Sequence, residues 1–207
     1  MGYIYVYAWI DDAGTAFRSA VEDLWSTDGL IVDFRFNLGG DMSAAYETYS
    51  LLFAEDISGV FAVGTRASQI DYYALDVLTD PYDVTVDSST YYDHPIAVLT
   101  GPGAISSGDV VAYYLAQHPR ARRFGLPTNG SACFEASSSV LWDPDPYVND
   151  LTAIRTTCVG LDANGEPLAL GAVDPEEQVW LTPQDVAAGR DTVVEAALEW
   201  VLSDGAS

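Results

Sequence analysis

Lysine is absent from this 207-residue chain, and all eight of its basic residues are arginine. Arginine stays protonated in proteins, so it cannot act as a general base. Any mechanism in which a nucleophile is activated by a lysine of this chain is therefore excluded.

Positive charge is scarce as a whole. The eight arginines stand against 31 acidic residues, which gives a net charge of −23. A charge of this sign argues against nucleic acid and against an anionic membrane surface as partners. An excess of aspartate without lysine is typical of salt adaptation, in which dense carboxylates keep a protein hydrated. A preference for basic peptides is the other interpretation.

Histidine and cysteine are rare, with two of each. This number argues against a Cys/His zinc site. Acidic clusters such as Asp11-Asp12 lack the ligand spacing and the glycine of a calcium loop. We therefore predict neither a metal nor a cofactor. No apolar run approaches the roughly eighteen residues of a membrane span, and no signal peptide opens the chain.

The two cysteines fall in segments that read as paired strands, 132–141 and 151–159. If these strands form a hairpin, Cys133 and Cys158 lie at its open end, and we predict a disulfide between them. A disulfide would imply an oxidising compartment, so an extracellular or periplasmic location is expected. Two buried free thiols are the alternative.

Hydrophobic residues are plentiful, at 49% of the chain, which is enough for one substantial domain over residues 1–207. Strand and helix patterns alternate along the chain, and this order indicates an α/β core. An irregular stretch with short strands is predicted at 59–92. The other predicted elements are strands at 3–9, 30–35, 95–100, 122–125 and 177–181, helices at 14–26, 41–54, 106–117 and 189–203, and the 132–159 hairpin.

The turn between the strand at 95–100 and the next helix carries two serines, Ser106 and Ser107. Gly101, Pro102 and Gly103 mark this turn. A serine at a strand-to-helix turn exposes its hydroxyl beside the free N–H groups of the helix, which can stabilise an oxyanion. The alternative is that Ser106 merely caps the helix.

A second turn follows the buried-strand pattern at 30–35 and contains Gly39 and Gly40. Paired glycines let the backbone approach another group closely and direct N–H groups at it. The two turns together supply a candidate nucleophile and a candidate oxyanion hole.

Three segments resemble the C-terminal-processing (tail-specific) serine peptidases. "LIVDFRFNLGGD" is similar to their LIIDLRxNxGG strand and turn. "HPIAVLTGPGAISSGDVVAYYLAQHPRARRFGLPTNG" is similar to their nucleophile strand, nucleophile helix and the R-A-x-x-x-G-x-P-T-x-G segment that follows. "GAVDPEEQVWLTPQDVAAGRDTVVEAALEWV" is similar to their closing segment. The resemblance spans roughly residues 28 to 203 and implies a ClpP/crotonase-like spiral core of β-β-α units.

The resemblance implies a role for each residue of the two turns. Ser106 is the nucleophile of a Ser-x-x-Glu/Asp element, and Asp109 occupies its acidic position. The backbone N–H groups of Ser107 and of the Gly39-Gly40 turn are the implied oxyanion donors. The implied activity is peptide-bond cleavage through an acyl-enzyme, with a peptide or protein as substrate.

The chain departs from the family at two positions. Family members with a Ser-Lys dyad carry a lysine 25 residues after the serine, where this chain has Ser131. The glutamate of the Ser/His/Glu branch falls on Ala169, and Glu166 is the nearest carboxylate. Ser-x-Gly-Asp is closer to the tricorn-core type, so the resemblance favours the Ser/His/Glu branch.

The histidine of that branch is not supplied by either histidine of this chain. His118 follows Ser106 by twelve residues of helix, about 18 Å. His94 lies near the opposite end of the nucleophile strand, about 20 Å away. We therefore expect the chain to be the C-terminal core of a longer protein, with the general base on an upstream segment or a second chain. The alternative is a pseudopeptidase or a non-catalytic binding module on the same fold, similar to interphotoreceptor retinoid-binding protein.

Overall fold

A computed structural model describes residues 1–57, 62–66, 75–77, 83–86, 91–131, 158–161 and 172–204. Its strands are β1 Gly2–Tyr5, β2 Leu30–Asp33, β3 Ala62–Arg66, β4 Leu75–Val77, β5 Ile96–Thr100, β6 Ala121–Gly125, β7 Cys158–Leu161 and β8 Glu177–Gln178. Its helices are α1 Ala13–Asp23, α2 Met42–Tyr49, α3 Ser107–Leu115, α4 Pro183–Ala187 and α5 Thr192–Asp204.

The main sheet has five parallel strands in the order β1-β2-β5-β6-β8. Strands β2 and β5 lie inside this sheet and are buried at every position, which explains the apolar runs at 30–32 and 96–99. A smaller antiparallel sheet has the order β4-β3-β7. The parallel sheet confirms the predicted α/β class.

Helices cover both faces of the main sheet. On one face, Leu30, Val32 and Val98 pack in a core with residues of α1 and α3. On the other face, Ile31, Ala97 and Leu99 pack in a second core with α5. Within α5, the buried residues Val193, Ala197 and Val201 recur every four positions, as the sequence pattern predicts.

The end of the chain corrects the predicted helix at 189–203. A short helix, α4, comes first, and Thr182 and Asp185 form a capping box at its start. Gly189 then adopts a φ of 69°, and α5 begins only at Thr192. The predicted strand at 3–9 is also shorter, ending at Tyr5. No helix in the described part of the chain is long and apolar enough to cross a membrane.

Most of the predicted 132–159 hairpin lies outside the described residues. Its final residues belong to β7, which pairs with β3, and Cys158 lies opposite Thr65 in that pairing. Cys133 is outside the described residues, so the disulfide stays a prediction.

Candidate active site

Three loops meet at the carboxyl edge of the main sheet. They follow β2, β5 and β6, and because these strands are parallel neighbours, the loops leave the sheet side by side. The first loop contains Gly39 and Gly40, the second contains Ser106, and the third contains Ser131. The structure therefore brings together the two turns that the sequence singled out.

Ser106 has an unusual backbone conformation, with φ 55° and ψ −121°. Only one other non-glycine residue among those described, Asp11, has a positive φ. Ser106 occupies the N-cap position of α3, yet its side chain makes no capping hydrogen bond. The capping alternative is therefore wrong, and the strained turn resembles the elbow that presents a nucleophilic serine.

Gly39 lies directly against the Ser106 side chain. A Cβ placed on Gly39 would lie 2.7 Å from the Cβ of Ser106 and 3.2 Å from its Oγ. Gly39 also has a φ of 77°, which favours glycine. Only glycine can bring the backbone this close to the serine, which is the physical reason for a glycine at this position.

The Gly40 peptide groups face α3. The carbonyl of Gly39 accepts from the N–H of Trp9 at 2.8 Å, and Trp9 also accepts from the N–H of Asp41 at 2.7 Å. In trans peptide units the N–H and C=O point in opposite directions, so the N–H and C=O of Gly40 point away from Trp9. On that side, the Ser107 hydroxyl donates to the Gly40 carbonyl at 2.6 Å.

Asn37 organises both turns, and the sequence analysis assigned it no role. Its buried amide donates to the carbonyl of Val6 and accepts from the N–H of Gly39, both at 2.9 Å. Its backbone carbonyl accepts from the N–H of Ile105 at 3.0 Å. The Gly39 N–H is therefore used within its own turn, so Gly40 is the better candidate oxyanion donor of the pair. The role of Asn37 could have been suspected from the sequence, because it is a polar residue between a buried strand and a Gly-Gly turn.

Asp109 fastens the loop after β6 to the first turn of α3. Its carboxylate is buried and accepts from the N–H of Gly130 at 2.8 Å and from the N–H of Ser131 at 3.1 Å. Burial raises the pKa of Asp109, and its hydrogen bonds oppose that rise. Ser131, which stands where dyad-type relatives have lysine, is thus held one helical turn from Ser106.

Both histidines lie far from Ser106 along the fold. His118 follows the carboxyl end of α3, and nine helical residues, about 14 Å, separate it from the serine's turn. Its Nδ1 accepts from the N–H of Arg120 at 3.1 Å, so its Nε2 donates to the carbonyl of Leu52 at 2.7 Å. His94 precedes β5 and packs against Tyr92. The described contacts of both histidines are thus made with residues outside the Ser106 turn.

A partly buried ion-pair cluster lies between β2 and α5. Arg35 donates to Asp33 at 2.7 Å and to Asp191 at 2.8 Å, and the Tyr3 hydroxyl also donates to Asp33 at 2.7 Å. Asp191 additionally accepts from the N–H of Val194 at the start of α5. The cluster joins β2 to α5 and fixes where the Gly39-Gly40 loop leaves the sheet.

Glu166, the predicted triad acid, lies outside the described residues. Within the described ranges, no group of three or more His, Cys, Asp or Glu side chains could hold a metal ion.

Comparison with known proteins decides the family. Residues 1–162 match the sequence profile described as Peptidase family S41. The chain belongs to peptidase family S41. This match extends over the Gly39-Gly40 turn, the Ser106 turn and α3.

A curated relative of this S41 chain is "Carboxyl-terminal-processing peptidase 2, chloroplastic" from Arabidopsis thaliana. It is 26% identical over 132 residues, which cover 63% of this chain and 24% of the relative. The chain therefore spans about a quarter of the length of the curated relative that it matches.

Solved structures share the fold. A candidate peptidase from Parabacteroides merdae superposes with a TM-score of 0.77 at 22% identity, over 97% of this chain and 60% of that one. The photosystem II D1 C-terminal processing protease gives a TM-score of 0.62 at 18% identity, over 86% and 42%. The tricorn protease gives 0.58 at 16% identity, over 99% and 18%. These likenesses confirm the predicted ClpP/crotonase-like fold.

Proposed function

We propose that this chain is the catalytic core of a serine endopeptidase in which the Ser106 hydroxyl attacks a peptide carbonyl and forms an acyl-enzyme. The observation that carries the proposal is the conformation of Ser106. Its strained turn holds the hydroxyl away from the helix cap and against the Gly39 backbone. Strain of this kind persists where a side chain must be held in a functional position.

The oxyanion of the tetrahedral intermediate would be held by the N–H groups of Ser107 and Gly40. Ser107 is the first residue of α3, so its N–H has no partner within the helix. The Gly40 N–H points towards the same region because its peptide unit turns away from Trp9. Removing one such donor typically slows an acyl-transfer enzyme by about a hundred- to a thousandfold.

The general base would come from outside this chain. The described structure commits His118 to two hydrogen bonds far from Ser106, and the chain has no lysine. A histidine from an upstream segment or a second chain would complete a Ser/His/Glu arrangement, with Glu166 as the candidate acid. This arrangement follows the usual logic of a serine activated by an oriented imidazole.

The absence of an adjacent base among the described residues also favours a second candidate. A non-catalytic binding module would keep the fold and the Ser106 turn without needing a base. The two candidates differ in one property, which is whether Ser106 becomes nucleophilic when the rest of the protein is present.

Labelling with a fluorophosphonate probe tests that property. The probe should label Ser106 in the full-length protein, and the 207-residue chain alone should react and hydrolyse peptides poorly. Ser106→Ala should abolish labelling and Ser107→Ala should not. Labelling that survives Ser106→Ala and disappears in Ser107→Ala would reassign the nucleophile. Strong Ser106-dependent hydrolysis by the 207 residues alone would place the base inside this chain, and no labelling of the full-length protein would favour the binding module.

A further inference from the structure

Strand β1 is the edge strand of the main sheet, and no described residue pairs with its outer edge. A groove of about 420 Å³ runs between this edge and α1. Its walls include Ile4 and Val6 from β1 and the small residues Ala16 and Ala20 from α1. An open strand edge beside an apolar slot is the arrangement that accepts an extended peptide as an added strand.

The backbone of β1 has bonding groups available at this edge. Gly2 and Val6 donate their N–H groups across to the β2 side, to Gly29 and Asp33. In a parallel pairing successive residues alternate sides, so the N–H and C=O groups of Tyr3 and Tyr5 face outwards. These groups can form the hydrogen bonds of an additional strand.

The two faces of the edge differ, which suits alternating side chains. The side chains of Tyr3, Tyr5 and Tyr7 are about half exposed, at 48%, 48% and 55%. They alternate along the chain with Ile4 and Val6, which pack in the core beside α1, and Tyr5 and Tyr7 also border the groove. Alternate side chains of an added strand would therefore enter the α1 slot, and the others would lie along the tyrosine rings. Side chains of a strand point to opposite faces in this way.

The chain that follows β1 contacts a loop of the candidate active site. Just beyond β1, the Tyr7 carbonyl accepts from the N–H of Leu38 at 2.8 Å, and Trp9 pairs with Gly40. The strand that borders the groove thus leads directly to the oxyanion turn. A segment bound along β1 would therefore pair with the same strand whose continuation contacts the Gly39-Gly40 turn.

The acidic residues of the groove favour extended peptides that carry positive charge. Asp11 and Asp12 line the groove and are exposed, and none of the described residues that line it is an arginine. The net charge of −23 adds to the same preference. Opposite charge favours encounter and register, and like charge opposes both.

We propose that the β1–α1 groove binds an extended polypeptide segment by strand addition. The segment presents apolar side chains to the slot at alternate positions and a cationic side chain to Asp11 and Asp12. The claim that this segment is a substrate rests on the proposed peptidase function. The claim that the segment binds does not depend on that function. The groove then selects unfolded, basic-and-apolar stretches as substrates.

The test measures binding without cleavage, on the 207-residue chain carrying Ser106→Ala. The probe is a fluorescent peptide of alternating valine and threonine with arginines at both ends, followed by polarisation. Replacing the arginines with glutamates should weaken binding at least tenfold. Methylating alternate backbone nitrogens should also weaken it at least tenfold, because this removes the hydrogen bonds of one strand edge.

Matched variants locate the site. Ala16→Trp fills the slot and should weaken binding at least tenfold, and Thr15→Trp, on the exposed side of α1, should change it less than twofold. The double variant Asp11→Asn/Asp12→Asn should weaken binding severalfold at low salt. Asp23→Asn/Asp28→Asn, with the same change of charge elsewhere, should have a smaller effect.

Three results would overturn the proposal: no binding of the arginine peptide, equal binding of the methylated peptide, or equal effects of Ala16→Trp and Thr15→Trp. A dimer in light scattering that Ala16→Trp dissociates would also overturn it, because a second copy would then occupy the edge. The peptide could bind as described while fluorophosphonate fails to label the full-length protein. That result would support the groove as a binding site and contradict the peptidase function.

Discussion

The polar side chains at the two ends of α3 differ in their hydrogen bonding. At the amino end, Ser106 is held at a positive φ, and its hydroxyl makes no capping bond. At the carboxyl end, His118 is buried, packs against Phe53 and uses both ring nitrogens in hydrogen bonds. Both residues are of types used in catalysis, yet their surroundings differ completely.

The contrast separates a chemical role from a structural one. Folding normally satisfies buried polar groups, and the satisfied imidazole of His118 follows that rule. Strain at Ser106 costs about 1–3 kcal/mol, so the surrounding structure must impose it. Asn37 and Asp109 supply that constraint through the turn before Gly39 and the loop after β6. The amino end of α3, where the Ser106 hydroxyl makes no capping hydrogen bond, is therefore the candidate site.

The largest expected effect is on reactivity. In the full-length protein, Ser106→Ala should reduce peptide hydrolysis and fluorophosphonate labelling at least a hundredfold. His118→Gln should change both less than threefold once the folded fraction is accounted for, because His118 lies a helix length away. Equal losses in the two variants would remove the distinction between the ends of α3.

Asp109→Ala should lower the free energy of unfolding by about 2–3 kcal/mol. It leaves the N–H groups of Gly130 and Ser131 without their acceptor at a buried position. Urea unfolding monitored by circular dichroism measures the change. Asp23→Ala, at an exposed position, serves as the control and should cost less than about 0.5 kcal/mol. A similar cost in both variants would contradict the role given to Asp109.

Ser106→Gly should raise the free energy of unfolding by about 1–2 kcal/mol relative to Ser106→Ala. Glycine adopts a positive φ without strain, and alanine does not. The same urea experiment compares the two variants, neither of which has the hydroxyl. If they unfold at the same urea concentration, the turn is not strained and the elbow interpretation fails.

The smallest expected effect is a pH dependence at the other end of the helix. Burial lowers the pKa of His118, so the unfolded chain binds a proton more readily than the folded one as pH falls through about 6.5. The His118 contribution to stability is therefore present above that pH and is lost progressively below it, by at most about 1.4 kcal/mol at pH 5.5, the limit set by the unfolded-state pKa. Urea unfolding at pH 7.5 and 5.5 should show a smaller loss for His118→Gln than for the parent protein. The exposed His94 is the control, and His94→Gln should leave the loss unchanged.

Much of the fold could be predicted because its central strands are buried on both faces. The apolar runs at 30–32 and 96–99 are continuous, so they could be recognised without any tertiary information. The end of the chain was harder. The apolar repeat of α5 was visible, but the prediction began that helix at Gly189, three residues too early, and did not include α4, whose start depends on the capping box of Thr182.

The sequence by itself determined the α/β order of elements, the Gly39-Gly40 and Ser106 turns and the exclusion of a lysine base. These features follow from residue types and local periodicity, which act over a few positions. Only the tertiary structure decided that Ser106 does not cap its helix, that the Gly39 N–H is bound by Asn37, and that β1 leaves an open edge beside α1. Each of these depends on groups that are distant in the chain and meet only when the parallel strands align, so no local pattern could encode them.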